Sequence, residues 1–474
     1  MSKTNRGGGS NISSPVRRRI VILAVSSLVS CIFFSSPMLR IPTPGYFKTP
    51  PTVHLPEYEP PDRTLETATV TVTAYIPTRT AASDVKDLLR SEGTMESFRE
   101  RLRPELLYIT SWPSSDWSNQ VVALTNLIYL ALLTERVATI PPFAPFAYMS
   151  RDLEFGEVFD ITRLQQGIGK PVLEWHQVKS HQSETVEELG CWSTRRDEFN
   201  ATSSNTKLIS PEYLNLDISY TQTPNWTLLR PAESHVSFWA LAALAFPDSE
   251  TAEIEGAERV ALEPDRHLLC FDDLSLASAR NVREYTQEMS PAWRFVGRHM
   301  HWSARLQYIA DLYTRKACGV GSEDSIPPYI AIYAQYRDPS SWCDLPAEEC
   351  FPPLFMYARR VQELKAEIRA TTGIEVERVI VTSDDNMEGI WWEAVRKRGW
   401  SRLDHSRTVE RYGPWYPLLI DAVVRSGALG FVTADDSLTS VLATRRVSSW
   451  QGGIAKRVLW ETKLRQELRP GMKP

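Results

Sequence analysis

Residues 329–334 read YIAIYA, residues 378–382 read RVIVT and residues 428–433 read ALGFVT. Each is a short apolar run rich in β-branched or aromatic side chains, the pattern of a strand covered on both faces. Helical patterns occupy 352–371, 389–398, 415–426 and 436–444. Strands that alternate with helices are parallel and joined by right-handed crossovers, and such sheets take ligands beyond their carboxyl ends. The stretch 329–444 therefore sets an α/β fold class.

Upstream, residues 106–110 (LLYIT) form a second strand signal, followed by the turn-rich SWPSSDWS and by apolar residues at helical spacing over 119–135. Residues 137–140 give another strand, which Pro141 and Pro142 end. The polar, weakly periodic stretch 180–230 is expected to be long surface loops. These readings predict two α/β halves with a cleft between them, residues 105–325 and residues 326–474. The chain has no internal repeat and no G-x-G-x-x-G fingerprint, so a dinucleotide dehydrogenase has little support.

Residues 20–39, IVILAVSSLVSCIFFSSPML, contain no charged side chain and are long enough to cross a bilayer as one helix. Arg17, Arg18 and Arg19 precede them, which places residues 1–19 on the cytosolic side and the remainder in the lumen. A cleaved signal peptide is the competing reading, although its apolar region is shorter, roughly 7–15 residues. Seven prolines follow at 42, 44, 50, 51, 56, 60 and 61, so a Pro-rich stalk is expected over 40–104. This is the layout of a single-pass type II protein of the Golgi or endoplasmic reticulum.

The 474 residues carry 53 Lys and Arg against 58 Asp and Glu, a net charge of -5 that gives no electrostatic footprint for nucleic acid. Hydrophobic residues at 42% exclude both wholesale disorder and a many-span membrane protein. Five cysteines lie beyond the span, Cys191, Cys270, Cys318, Cys343 and Cys350, and an odd number leaves at least one unpaired within the chain. The short spacing of Cys343 and Cys350 makes them the expected bridge, with buried free thiols as the alternative. Asn200-Ala201-Thr202 and Asn225-Trp226-Thr227 are glycan acceptor sequons, usable only in the lumen.

An ordered series of segments carries a family resemblance: 108–143 (YITSWPSSDWSNQVVALTNLIYLALLTERVATIPPF), HLLCFDDL, WRFVGRHMHWSARL, 327–361 (PPYIAIYAQYRDPSSWCDLPAEECFPPLFMYARRV), VIVTSDDNMEGIWWEAVRKRGW and GALGFVTADDSLTSVLATRRVSSW. In this order they resemble the GDP-fucose protein O-fucosyltransferase superfamily, in particular its fungal membrane-anchored members, over roughly residues 105–460. The resemblance implies a GT-B-like pair of facing Rossmann-like subdomains. It also implies inverting transfer of fucose from GDP-fucose to a hydroxyl of a glycoprotein or glycan, with no metal or other cofactor.

Residue by residue, 115–120 (SDWSNQ) stands where the family has G-x-F-x-N-Q, a loop at a helix start that contacts the nucleotide sugar. Asn119 and Gln120 match, Trp117 takes the aromatic position, and Ser115 replaces the glycine. Amide groups at a helix start favour the negative charge of a diphosphate. Asp116 is the loop's carboxylate and the candidate general base. The structural alternative for this segment is an ordinary N-cap ahead of a core helix.

The family's His-x-Arg-x-Gly is here Tyr333-Ala334-Gln335-Tyr336-Arg337, so Gln335 occupies the arginine position. Glutamine donates hydrogen bonds but has no charge for the leaving diphosphate. In an extended strand Tyr333, Gln335 and Arg337 project to one face, which makes Arg337 the candidate replacement. A catalytically inactive nucleotide-sugar-binding scaffold, or a transferase with another donor, are the competing readings. Further along, Asp384, Asp435, Ser437, Thr439 and Ser440 stand where the family lines its GDP pocket, and hydroxyls at a helix start are competent phosphate donors. The alternative is Asp436 or Ser437 as a simple N-cap. The Asp pairs at 272–273, 384–385 and 435–436 point apart along the chain, and His299 and His301 lack a third ligand nearby, so no metal is expected. Trp391, Trp392 and Trp400 are expected in the core.

Overall fold

The computed structural model describes residues 85–113, 115–146, 149, 151–195, 214–229, 235–246, 262–280, 284, 290–334, 351–384, 390–434 and 436–460. The chain divides into residues 1–74 and residues 75–474, and every described residue lies in the second unit. Residues 20–39, the prolines of 40–62, the Asn200 sequon, Gln335, Arg337, Cys343, Cys350 and Asp435 lie outside the described residues. Among the described residues no helix is long and apolar enough to cross a membrane.

Six strands build the first sheet: β1 Tyr108–Ser111, β2 Val137–Ile140, β3 Val172–Glu174, β4 Glu187–Ser193, β5 Leu216–Gln222 and β7 Leu268–Phe271. Their order is β3-β2-β1-β7-β4-β5, parallel throughout. Between them in sequence and just after, β6 Val236–Ser237 and β8 Ala277–Ser278 form a small parallel pair. The second sheet has β9 Tyr329–Ala334, β10 Arg378–Ser383, β11 Ser401–Arg402, β12 Gly430–Thr433 and β13 Ile454–Arg457. Its order is β11-β10-β9-β12-β13, again parallel. In each sheet the winding reverses beside the first strand, between β1 and β7 and between β9 and β12. Such switch points open a crevice at the carboxyl ends of the strands.

The helices that matter for the site are α1 Trp117–Thr134, α2 Ile161–Ile168, α3 Ala304–Cys318, α4 Leu354–Thr372, α5 Ile390–Lys397, α6 Tyr416–Gly427 and α7 Leu438–Gln451. All six residues of β9 are buried, and they sort by parity. Ile330, Ile332 and Ala334 pack with the α4 stripe Tyr357, Val361, Leu364 and Ile368. Tyr329, Ala331 and Tyr333 face a core shared with α1, α6 and α7. That shared core makes the two sheets halves of one packed body. Trp392 is buried in the α4 cluster, as expected of a core residue, and Trp391 and Trp400 pack at its edge.

Three expectations need correction. Within 180–230, β4 and β5 are full strands of the first sheet; the alternating polar positions of the edge strand β5 and the polar ends of β4 hide the strand signal. The end of the expected stalk is packed: Leu88, Leu89, Phe98 and Leu102 close the outer face of the first sheet with Trp112 and Trp175. Helix α3, placed by sequence in the first half, packs on α6 and on β10 and β11 of the second. The bridge observed among the described residues is Cys191–Cys270, which staples β4 to β7, while Cys318 is a buried free thiol.

Candidate functional site

The loop from β1 into α1 is built by its own polar side chains. Asp116 is the N-cap, and its Oδ1 accepts from Ser118 N–H at 3.0 Å and Asn119 N–H at 3.1 Å. Gln120 is wholly buried, and its Nε2 donates to Ser115 O at 3.0 Å and to Ala144 O at 2.9 Å. Its Oε1 accepts from Ala144 N–H at 2.8 Å, so the amide ties the loop to the chain after β2. Trp117 is buried against Phe143, Phe159 and Trp415, with ring centroids 4.6, 6.2 and 6.2 Å away. Among the residues expected to contact a ligand, Trp117 and Gln120 therefore hold the loop in place, and Asn119 is the partly exposed side chain. Ser115 adopts φ 76°, the left-handed region that favours the glycine found there in the resembled family.

The opening of α7 has the complementary character. Ser437 is its N-cap and accepts from Ser440 N–H at 3.3 Å. Ser440 is buried, with its hydroxyl 2.6 Å from that of Thr433 at the end of β12. The first two amides of the helix, Leu438 N–H and Thr439 N–H, make no hydrogen bond among the described residues. No acidic side chain lies in the first turn, and the flanking Asp436 is paired with Arg457 at 2.6 Å. Among the described residues a hydroxyl therefore caps α7, whereas the carboxylate of Asp116 caps α1.

The two openings meet. Ser118 Oγ and Thr439 Oγ1 are 2.7 Å apart, joining the first turn of α1 to the first turn of α7 across the shared core. Tyr333 is buried on the same face of the second sheet as Thr433, beside which it pairs in register. Asp384, just past β10, is exposed.

Sequence reading weighed the Asp272–Asp273 pair only as metal ligands and missed its hydrogen bonds to Ser193, Thr194 and Arg195. Asp272, at the carboxyl end of β7, accepts from Ser193 Oγ at 2.7 Å, Thr194 N–H at 2.9 Å and Thr194 Oγ1 at 2.7 Å. Burial raises its pKa against those hydrogen bonds. Asp273 accepts from Arg195 at 2.9 Å. Both carboxylates lock β4 to β7 at the switch point of the first sheet, a role the HLLCFDDL segment announces only by its two adjacent acids.

A second polar cluster lies away from these openings. Glu154, Glu174 and His176 offer ligand atoms within 4.8 Å of one another, the one such group among the described residues. They border a cavity of about 650 Å³ together with Glu157, Asp160 and Arg305. Glu154 accepts from His176 Nδ1 at 3.2 Å and from His181 Nε2 at 2.7 Å. Burial acts to raise its pKa, but the two histidines outweigh this and hold it at about 2. The Glu154 hydrogen bond raises both imidazoles. With oxygen and imidazole donors the group is chemically able to take a divalent ion. His299 and His301 do not join it: His301 stacks on Trp450 at 4.4 Å, and burial lowers its pKa to about 4.

No protein-family model matches the chain, and no curated protein matches its sequence. Among solved structures, the chain is similar to POFUT1 in complex with GDP-fucose, at 14% identity and a TM-score of 0.49, over 75% of this chain and 99% of that one. It is also similar to the fucosyltransferase NodZ from Bradyrhizobium, at 12% identity and 0.34, over 72% and 93% of the two chains. A NodZ α-1,6-fucosyltransferase co-crystallized with GDP matches at 13% identity and 0.34, over 72% and 92%. These scores are too low to decide the function. The class that the coordinates themselves define is an α/β protein of two parallel sheets, with helix openings from both halves in contact.

Proposed function

We propose that this chain is a lumenal, single-pass type II glycosyltransferase of the Golgi or endoplasmic reticulum that transfers fucose from GDP-fucose, with inversion, to a hydroxyl of a glycoprotein or glycan. The observation that carries the reading is the contact of Ser118 with Thr439. It brings the segment resembling G-x-F-x-N-Q and the Ser/Thr helix start to one place, although 321 positions separate them in sequence. The Cys191–Cys270 bridge supports an oxidising compartment. Asn225 of the second sequon is exposed, which suits a glycan.

In this reading the leaving β-phosphate meets the amides of Leu438 and Thr439 and the hydroxyls of Ser437 and Thr439, donors aimed where charge develops. Asn119 orients the donor from the opposite half, and Arg337 adds charge from the chain beyond β9. The acceptor hydroxyl attacks from the face opposite the phosphate. Asp116, whose Oδ1 caps Ser118 N–H and Asn119 N–H, serves as base through Oδ2. Gln335 at the arginine position supports a second reading, a scaffold that binds the nucleotide sugar without turning it over.

Turnover of GDP-fucose by the purified chain tests the first reading, and the Arg337→Ala variant tests the residue. Undiminished turnover in the variant removes Arg337 from the mechanism. GDP binding by calorimetry, with no release of GDP across varied acceptors, selects the scaffold. The proposed reaction uses no metal, so turnover persists in EDTA. Loss of activity in EDTA that Mn2+ restores would direct attention to Glu154, Glu174 and His176.

A further inference from the structure

Arg425 on α6 and Arg446 on α7 are each 3% exposed. Among the described residues neither guanidinium makes a hydrogen bond or an ion pair, and the Nε of each is buried without an acceptor. Two other buried guanidinium groups, although Arg136 Nε and Arg445 Nη1 are likewise without an acceptor, each hold at least one carbonyl. Arg136 donates to Tyr108 O at 3.1 Å, Arg266 O at 2.8 Å and Ala245 O at 3.0 Å, and Arg445 donates to Glu284 O at 3.1 Å.

What surrounds the unmatched pair is aromatic. Arg425 lies 4.7 Å over the ring of Tyr333. Arg446 lies 4.3 Å over Trp302 and 5.4 Å over Trp450. Ring faces attract a cation but do not neutralise it, and a buried charge without a counter-charge is among the costliest features a fold can hold. Here two like charges share one region: burial, and then the charge of Arg425, pull the pKa of Arg446 down to about 9. A cavity of about 390 Å³, lined by Asp160, Arg163, Val423 and Ser426 among others, lies beside Trp302 and Trp450, the rings under Arg446.

We propose that Arg425 and Arg446 form a built site for a phosphate-class anion, and that its occupant is the diphosphate of the nucleotide-sugar donor. The second half of this statement rests on the function proposed above. Tyr333, under Arg425, lies on the same sheet face as Thr433, whose hydroxyl contacts Ser440 in the first turn of α7. Arg425 thus brings charge toward the hydroxyls and amides at the start of α7, and Arg446, on α7 itself, adds its charge to that of Arg425. They supply the guanidinium that Gln335 does not.

The test uses the full chain with GDP, guanosine and inorganic pyrophosphate as probes, in wild type, Arg425→Gln, Arg446→Gln and Arg425→Lys. The expected result is that each Gln variant weakens GDP binding by roughly 30-fold or more while guanosine binding is unchanged, and that Arg425→Lys recovers part of the loss. Without ligand, Arg425→Gln melts no lower than wild type, because it relieves repulsion; a purely structural arginine predicts a clear fall. Equal GDP affinity in wild type and both Gln variants overturns the proposal. If GDP fails to bind wild type, the donor reading falls; pyrophosphate then decides the anion site, which stands if stabilisation depends on both arginines and falls if it does not.

Discussion

Ser118 and Thr439, each the second residue of its helix, share a hydrogen bond of 2.7 Å between their hydroxyls. Neither belongs to a local turn of the other, so the bond reports directly on how the two sheets are docked. Ser118→Ala and Thr439→Val should each cost about 0.5–1.5 kcal/mol in urea unfolding, and the double variant should cost less than their sum. Strictly additive losses would show that the contact is not formed in solution.

Ser115 sits at φ 76°, where a side chain is strained and glycine is not. Ser115→Gly exchanges that strain for extra freedom of the unfolded chain, leaving a net gain of up to about 1 kcal/mol. Ser115→Val, β-branched, should lose about 1 kcal/mol or more. Thermal melts of the two variants should therefore move in opposite directions; a fall in both would place the loop in another conformation.

The Cys191–Cys270 bridge closes a loop of 79 residues that includes all of β5 and the small β6 strand. Reduction should lower stability by about 2–4 kcal/mol, mainly through freedom returned to the unfolded chain. Melting with and without dithiothreitol measures it, and mass mapping of the oxidised chain should return this pair. An unchanged melt would mean that the thiols are reduced in the folded protein.

The Glu154 cluster predicts a pH profile with a definite sign. The histidines' folded pKa values lie above the ordinary 6.5, so their contribution is fully present below about pH 6.5 and is lost as pH rises through the raised values. On the acid side, Glu154 keeps its charge until pH falls to about 2. Both imidazoles are partly exposed, and solvent screening makes the effect modest. The melting gap between wild type and Glu154→Gln should be widest near about pH 5.5 and narrow by about pH 8.5. A gap constant across that range rules the linkage out.

The second sheet was readable because its strands are buried on both faces. YIAIYA, RVIVT and ALGFVT are continuous apolar runs, and each is found as β9, β10 or β12 within a residue or two. The loop at Ser115 to Gln120 was equally visible, since an Asp ahead of an apolar helix is a cap signal whatever else it does. β4 and β5 were not, because LDISYTQ alternates polar residues and EELGCWS opens on two glutamates and holds a glycine, so both look like loop text until neighbouring strands cover them. Gln120 and Trp117 are instructive in another way. Residue type marked them for a ligand, and only their surroundings show an amide held by Ala144 and a ring held by Phe143.

Local pattern alone pointed to the parallel α/β class and to capped helix openings near residues 116 and 437, because each depends on neighbours a few residues away. Which opening is left for an anion, which cysteines join and which arginines stand without a counter-charge depend on groups tens to hundreds of positions apart. Those were decided by packing: burial removes water from Arg425 and Arg446 only once α6, α7, Tyr333 and Trp302 have come together.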